Sequence, residues 1–99
     1  MPRRFIITPK AEQDYFDIWE YIAEDSVVAA DRFVETLQAH HKTIAEFPEV
    51  GRLHPELGKN ARLFPVDPYV LIYREIQARV ELLRVLHGAR DLRSLFDPA

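Results

Sequence analysis

Arg84, His87, Arg90 and Asp91 stand within eight residues of one another, directly after an apolar run and around a single glycine, Gly88. Two guanidinium groups, an imidazole and a carboxylate at that density are parts from which a phosphate-handling or proton-transferring site can be made. An imidazole near its reference pKa of about 6.5 exchanges protons near neutrality, and guanidinium groups hold phosphate or carboxylate through paired hydrogen bonds. The plainer alternative is a corner that closes the fold. Asp91 would then orient His87 or cap the following turn, and Gly88 would supply a backbone conformation that other residues resist. Arg84, flanked by apolar strand residues, is expected to pair with an acidic residue of the fold or of another chain.

Other chemistries find little support. The chain has no cysteine, which excludes disulfides and thiolate metal sites, and adjacent His40 and His41 would point about 100° apart on a helix. No metal or other cofactor is expected. The N-terminal Phe5-Ile6-Ile7 run is too short for a signal segment or a membrane span, so a soluble, cytoplasmic protein is expected, with no membrane partner. Residues 1–50 carry five Lys/Arg against ten Asp/Glu, whereas residues 51–99 carry eight against six, and seven of those eight cations are arginines. With a pI near 5.8 and no recognisable reading element, a free-standing nucleic-acid-binding domain is disfavoured.

The elements that must position these groups are legible from periodicity. Phe5–Ile7 suits a short strand. Thr8-Pro9 reads as an N-cap followed by proline at the first helical position. Ala11, Tyr15, Ile18 and Ile22 then recur at helical spacing, with Trp19 beside them. Ser26 is placed to cap a second helix with the stripe Ala30, Phe33, Val34, Leu37, His41, Ile44 and Ala45, ended by Pro48. So short a link makes the two an antiparallel hairpin. A loop punctuated by Pro48, Gly51, Pro55 and Gly58 follows. Three strand-like runs come next, Arg62–Val66, Tyr69–Glu75 and Arg79–His87, with turns at Asp67-Pro68 and Ile76-Gln77-Ala78, and Arg90–Phe96 reads as a short closing helix.

One α+β domain over residues 1–99 results: an N-terminal strand and an antiparallel α-hairpin on one face of a mostly antiparallel sheet, with a short C-terminal helix. The uncovered face is expected to meet water or a partner. Alternation in the last strand is ambiguous. Val80, Leu82 and Leu86 share a face with Arg84, while Leu83 and Val85 share one with Glu81 and His87, so both faces are partly apolar.

Four stretches resemble one family in order and spacing. They are Asp17-Ile18-Trp19-Glu20-Tyr21-Ile22-Ala23-Glu24-Asp25, Phe47-Pro48-Glu49-Val50-Gly51-Arg52, Arg62-Leu63-Phe64-Pro65-Val66 with Tyr69-Val70-Leu71-Ile72-Tyr73-Arg74, and Arg84-Val85-Leu86-His87-Gly88-Ala89-Arg90-Asp91. Together they are similar to the ParE toxins of bacterial type II toxin–antitoxin modules, in the RelE/ParE superfamily. That resemblance implies a toxin that inhibits DNA gyrase by binding, without chemistry of its own, and is neutralised by a ParD-type antitoxin. It implies contact with operator DNA only through that antitoxin. Arg84, His87, Arg90, Asp91, Leu95 and Phe96 are the expected toxicity residues, and Trp19, Phe33, Tyr69, Leu71 and Tyr73 the expected antitoxin-binding ones.

A member that has kept the fold as a non-toxic interaction module is one alternative. The same superfamily also contains RelE-like nucleases that cleave mRNA on the ribosome; that resemblance would make His87 the base or acid, place Arg62, Arg84 and Arg90 over the phosphate and stack Tyr69 or Tyr73 on a base. Against the nuclease stand the absence of a tyrosine after Tyr73, a single lysine beyond residue 42 and the acidic pI. Removal of Arg90–Phe96 is expected to abolish growth arrest while leaving a cooperative fold.

Overall fold

The computed structural model describes residues 2–96 and, within the last helix, side chains as far as residue 92. The chain runs β1 (Arg4–Ile7), α1 (Pro9–Ala23), α2 (Val27–Glu46), β2 (Arg52–Leu53), β3 (Ala61–Val66), β4 (Tyr69–Ile76), β5 (Arg79–His87) and α3 (Gly88–Phe96), with short 3-10 turns at Pro48–Val50 and Pro55–Leu57. Both long helices start where the caps predict. Thr8 Oγ1 accepts from the Ala11 N–H and Ser26 Oγ from the Ala29 N–H, each worth about 1 kcal/mol to its helix.

Among the described residues the strands form one sheet in the order β1-β5-β4-β3-β2. The pairs from β2 to β5 are antiparallel, and β1 lies parallel to β5, with Arg4 opposite Arg79 and Ile7 opposite Leu82. A parallel pair needs a long crossover, which everything between Thr8 and Ala78 supplies. The main core lies between the α-hairpin and one sheet face. Ala11, Tyr15 and Ile18 of α1 and Leu37 and Ile44 of α2 meet Tyr69, Leu71 and Tyr73 of β4 and Val80, Leu82 and Val85 of β5.

The ambiguous alternation in β5 is resolved by a bulge. Ile72 pairs with Arg84 but Tyr73 pairs with Leu82, so Leu83 is an extra residue on β5. Before it, the even-numbered Val80 and Leu82 face the helices; after it, the odd-numbered Val85 does. Both apolar sets are therefore used, one on each side of the irregularity.

Several sequence expectations need correction. The second sheet face is not simply open: Val70, Ile72, Leu86 and Ala61 form a smaller buried cluster there, covered by Leu57 of the second 3-10 turn and Leu92 of α3. Strand β4 is consequently buried on both faces over Tyr69–Tyr73. Leu71 and Tyr73, expected at the antitoxin surface, have no exposed side-chain surface and pack in the core. The short β2 is held by only two residue pairs and has too few residues to show a period. Gly88 is the first residue of α3 and carries no left-handed backbone; its N–H bonds Pro68 O at 2.8 Å, and an added Cβ would meet that oxygen at 3.4 Å. Among the described residues the left-handed positions are instead Gly58, Asn60, Gln77 and Ala78, the last two forming the β4–β5 turn.

Candidate functional site

Past Leu82, β5 outruns β1 and its edge would lie open. An unpaired strand edge is a template for unwanted pairing and must be covered or capped. Thr8 begins the cover: its N–H and Oγ1 both donate to Leu82 O, at 3.1 and 2.8 Å, and Oγ1 also reaches Leu83 O at 3.2 Å. One turn into α1, Asp14 takes over. Its Oδ2 accepts from the Val85 N–H at 2.9 Å and from Arg84 Nε at 2.7 Å, while Oδ1 accepts from Arg84 Nη2 at 3.0 Å. Arg84 thus has the acidic partner expected of it, in a bidentate pair that raises its guanidinium above the ordinary range.

The next outward N–H on β5, that of His87, donates to Asp91 Oδ2 at 2.7 Å. His87 is also the cap of α3: its Nδ1 accepts from the Arg90 N–H at 3.1 Å, a role open only to an unprotonated nitrogen. The two bonds are reciprocal in the manner of a capping box, with the carboxylate one residue further along. Arg90 Nε completes the corner by donating to Asp91 Oδ1 at 3.0 Å. Burial pushes the Asp91 carboxyl up, but the Arg90 guanidinium and the His87 N–H outweigh it and hold the group below the usual carboxylate range. The Arg90 guanidinium is raised in turn by Asp91.

Between α1 and α3 these groups enclose an open cleft of about 490 Å³, lined by Asp14, Asp17, Ile18, Tyr21, Tyr69, Arg84, Val85, Leu86, Arg90 and Asp91. Tyr69 lies at its base, edge-on to His87 at 5.4 Å between ring centres and to Phe33 at 5.5 Å. Tyr21, 71% exposed, stands at the rim on α1.

The structure brings together Arg84, His87, Arg90, Asp91 and Tyr69 of the sequence-predicted site residues. Leu95 and Phe96 fall in the last turn of α3, and their side chains lie outside the described residues. Arg62 is elsewhere: its Nη1 donates to Gly51 O at 2.7 Å and Glu49 O at 3.3 Å, fixing the loop after α2. Phe33 packs on the main core, and Trp19 sits on the hairpin surface, its Nε1 donating to Asp31 Oδ1 at 2.8 Å and its ring stacked on exposed Phe16. Sequence reasoning missed Asp14, Asp17 and Tyr21. Their spacing of three and four places them on one side of α1, a signal hidden among that helix's other acids.

The chain is matched over residues 5–92 by the family model described as the ParE toxin of the type II toxin–antitoxin system parDE. Two proteins of Caulobacter vibrioides are similar to it. Toxin RelE2 is 35% identical over 83 residues, covering 84% of this chain and 92% of that protein. Toxin ParE1 is 33% identical over 89 residues, covering 89% and 92%. In structure, the chain resembles one from the chromosomal ParDE toxin–antitoxin system of P. aeruginosa, with a TM-score of 0.74 at 18% identity over 86% of this chain and 95% of that one; this likeness shows the fold alone. No helix among the described residues is long and apolar enough to cross a membrane. With matches that span nearly all of it, this chain belongs to the ParE toxin family of type II toxin–antitoxin systems, within the RelE/ParE superfamily.

Proposed function

We propose that this toxin arrests growth by binding DNA gyrase rather than by cutting RNA, and that a ParD-type antitoxin holds it inactive in the cytoplasm. One observation carries the choice: the groups a nuclease would use are committed within the fold. Arg84 is locked on Asp14, Arg90 on Asp91 and Arg62 on loop carbonyls, and the Nδ1 of His87 caps α3. Asp17 adds to the cleft a carboxylate that no arginine among the described residues offsets, and it repels the phosphate that an RNA substrate would have to present. A binding surface needs no free base or phosphate clamp. In this reading Arg84, His87, Arg90 and Asp91 set the position of α3, and Leu95 and Phe96 near its end meet the target.

The similarity to a protein named RelE2 favours ribosome-dependent mRNA cleavage as the second reading. Pulse labelling after induction without antitoxin separates the two. Early loss of thymidine incorporation, followed by inhibition of gyrase supercoiling by purified toxin, is the expected result. Early loss of methionine incorporation with cleaved ribosome-bound mRNA would replace it with the nuclease. Removing Arg90–Phe96 is expected to abolish the gyrase effect.

A further inference from the structure

Charge in this chain is sorted by face. Helices α1 and α2 carry seven Asp/Glu and three Lys/Arg. On the sheet face turned away from them, the strands carry Arg4, Arg52, Arg74, Arg79 and Arg84 against a single carboxylate, Glu81. Arg84 is neutralised by Asp14 at the cleft. At the other end of the same face, beside the β4–β5 turn, Glu81 serves two arginines at once. Its Oε1 accepts from Arg74 Nε at 2.9 Å, and its Oε2 from Arg79 Nε and Nη2, both at 3.2 Å. Arg4 is exposed, stands directly opposite Arg79 in the parallel β1–β5 pair, and has no partner among the described residues. Arg52, exposed near the opposite edge of this face, has none among them either.

Like charges facing each other on adjacent strands, about 4.8 Å apart, destabilise a sheet, so the Arg4–Arg79 pair works against the fold. An oxyanion set over Arg4, Arg74 and Arg79 would relieve that repulsion and receive paired N–H donors, since the Nη groups of Arg74 make no hydrogen bond among the described residues. Carboxylate and phosphate both suit such donors. Bare guanidinium groups at both edges of one face, Arg4 and Arg52, favour an extended polyanion over a single group. Contacts of this kind take backbone phosphate without regard to base sequence. A net charge of −3 keeps so small a patch from holding DNA unaided. On gyrase, which itself holds DNA, phosphate is already close, and a few weak contacts then add to the affinity.

We infer that Arg4, Arg74 and Arg79, with Arg52 beyond them, form a sequence-independent contact to the phosphate backbone of the DNA that gyrase holds. The inference rests on the gyrase reading and adds a second anchor to it, at the end of the sheet away from α3.

The test measures binding of the full-length toxin to purified gyrase, with and without saturating linear duplex DNA, at about 50 and 200 mM salt. Wild type is compared with Arg4→Glu, Arg74→Gln and a control, Arg32→Gln, on the exposed side of α2. DNA is expected to raise wild-type affinity about 10-fold at the lower salt and little at the higher, the loss that two phosphate contacts entail. Arg4→Glu should abolish this gain, Arg74→Gln should reduce it, and Arg32→Gln should keep it. The melting temperature of Arg4→Glu should hold or rise, because the new carboxylate stands opposite Arg79; that separates a lost contact from a lost fold. Wild-type affinity indifferent to DNA would overturn the inference, as would a gain that survives in Arg4→Glu. A loss in Arg4→Glu that is equally large without DNA would overturn it too, by giving the cluster to an acidic protein surface. Failure of the wild type to bind gyrase in either state would instead overturn the gyrase reading itself, and the inference with it.

Discussion

Two corners of the sheet solve the same problem with different chemistry. At the β5–α3 corner, outward N–H groups are taken by the carboxylates of Asp14 and Asp91, each in turn held by an arginine at the mouth of an open cleft. At the other side, the loop after α2 is fixed by a neutral group in the core. The fully buried Tyr73 hydroxyl accepts from the Gly51 N–H at 2.8 Å and donates to Pro48 O at 2.7 Å. A buried neutral bond leaves large penalties behind when one partner is removed, whereas a charged, half-exposed one lets water take over. At the first corner water can stand in for a lost partner. The second holds the domain together.

The sharpest way to break the comparison is at Gly51. A Cβ there would lie 2.7 Å from Tyr73 Oη and 3.0 Å from Leu63 O, so the ring or the loop must give way. Gly51→Ala is expected to cost about 3 kcal/mol by urea denaturation. A cost below that of Asp14→Ala would invert the ranking.

Another neutral buried contact gives a pH signature. The Tyr15 hydroxyl and His41 Nε2 lie 2.6 Å apart, with Phe5 stacked on the imidazole. Burial, with a smaller contribution from His40, lowers the His41 pKa from 6.5 to about 4. Between those values the unfolded chain binds more protons than the folded one. This contribution is fully present above pH 6.5 and is lost as the pH falls toward 4, on the order of 2 kcal/mol after allowance for the partly exposed ring. Denaturation midpoints from pH 7 to pH 4 measure it, and His41→Phe should flatten the curve.

At the charged corner, Asp14→Ala is expected to cost roughly 1.5 kcal/mol, since water reaches Arg84. Faster amide exchange at Val85, with the rest of the sheet protected, would locate the damage. The smallest effect is a gain. Ala78 occupies the left-handed region at φ 62°, where a Cβ is unfavourable, so Ala78→Gly should stabilise by about 1 kcal/mol in the same denaturation assay.

What could be read in advance follows from how local each signal is. The helices carried their own caps and stripes in Thr8, Ser26 and the Tyr15 and Leu37 series, and the three long strands carried their runs of Val, Leu, Ile and Tyr. The site was legible in part. The Arg84–Asp91 cluster announced itself by density, but Asp14 lies seventy residues away from Arg84, and no local period in α1 marks it as the partner. Burial of Leu71 and Tyr73 was hidden for a similar reason: the second cover on β4 comes from Leu57 and Leu92, which flank the strand at a distance in sequence.

The extra residue at Leu83 acts as a frame shift written into a strand. Ahead of it, even-numbered side chains turn toward the helices; behind it, odd-numbered ones do, and α3 inherits that second frame without an intervening loop. Straightening the bulge with Leu83 kept in the ladder would leave every later side chain intact in identity and inverted in direction: Val85 would face away from the α-hairpin and Leu86 toward it. Homologous chains of equal length can therefore share the whole Arg84–Asp91 motif and still present opposite surfaces, if one of them carries its extra residue elsewhere.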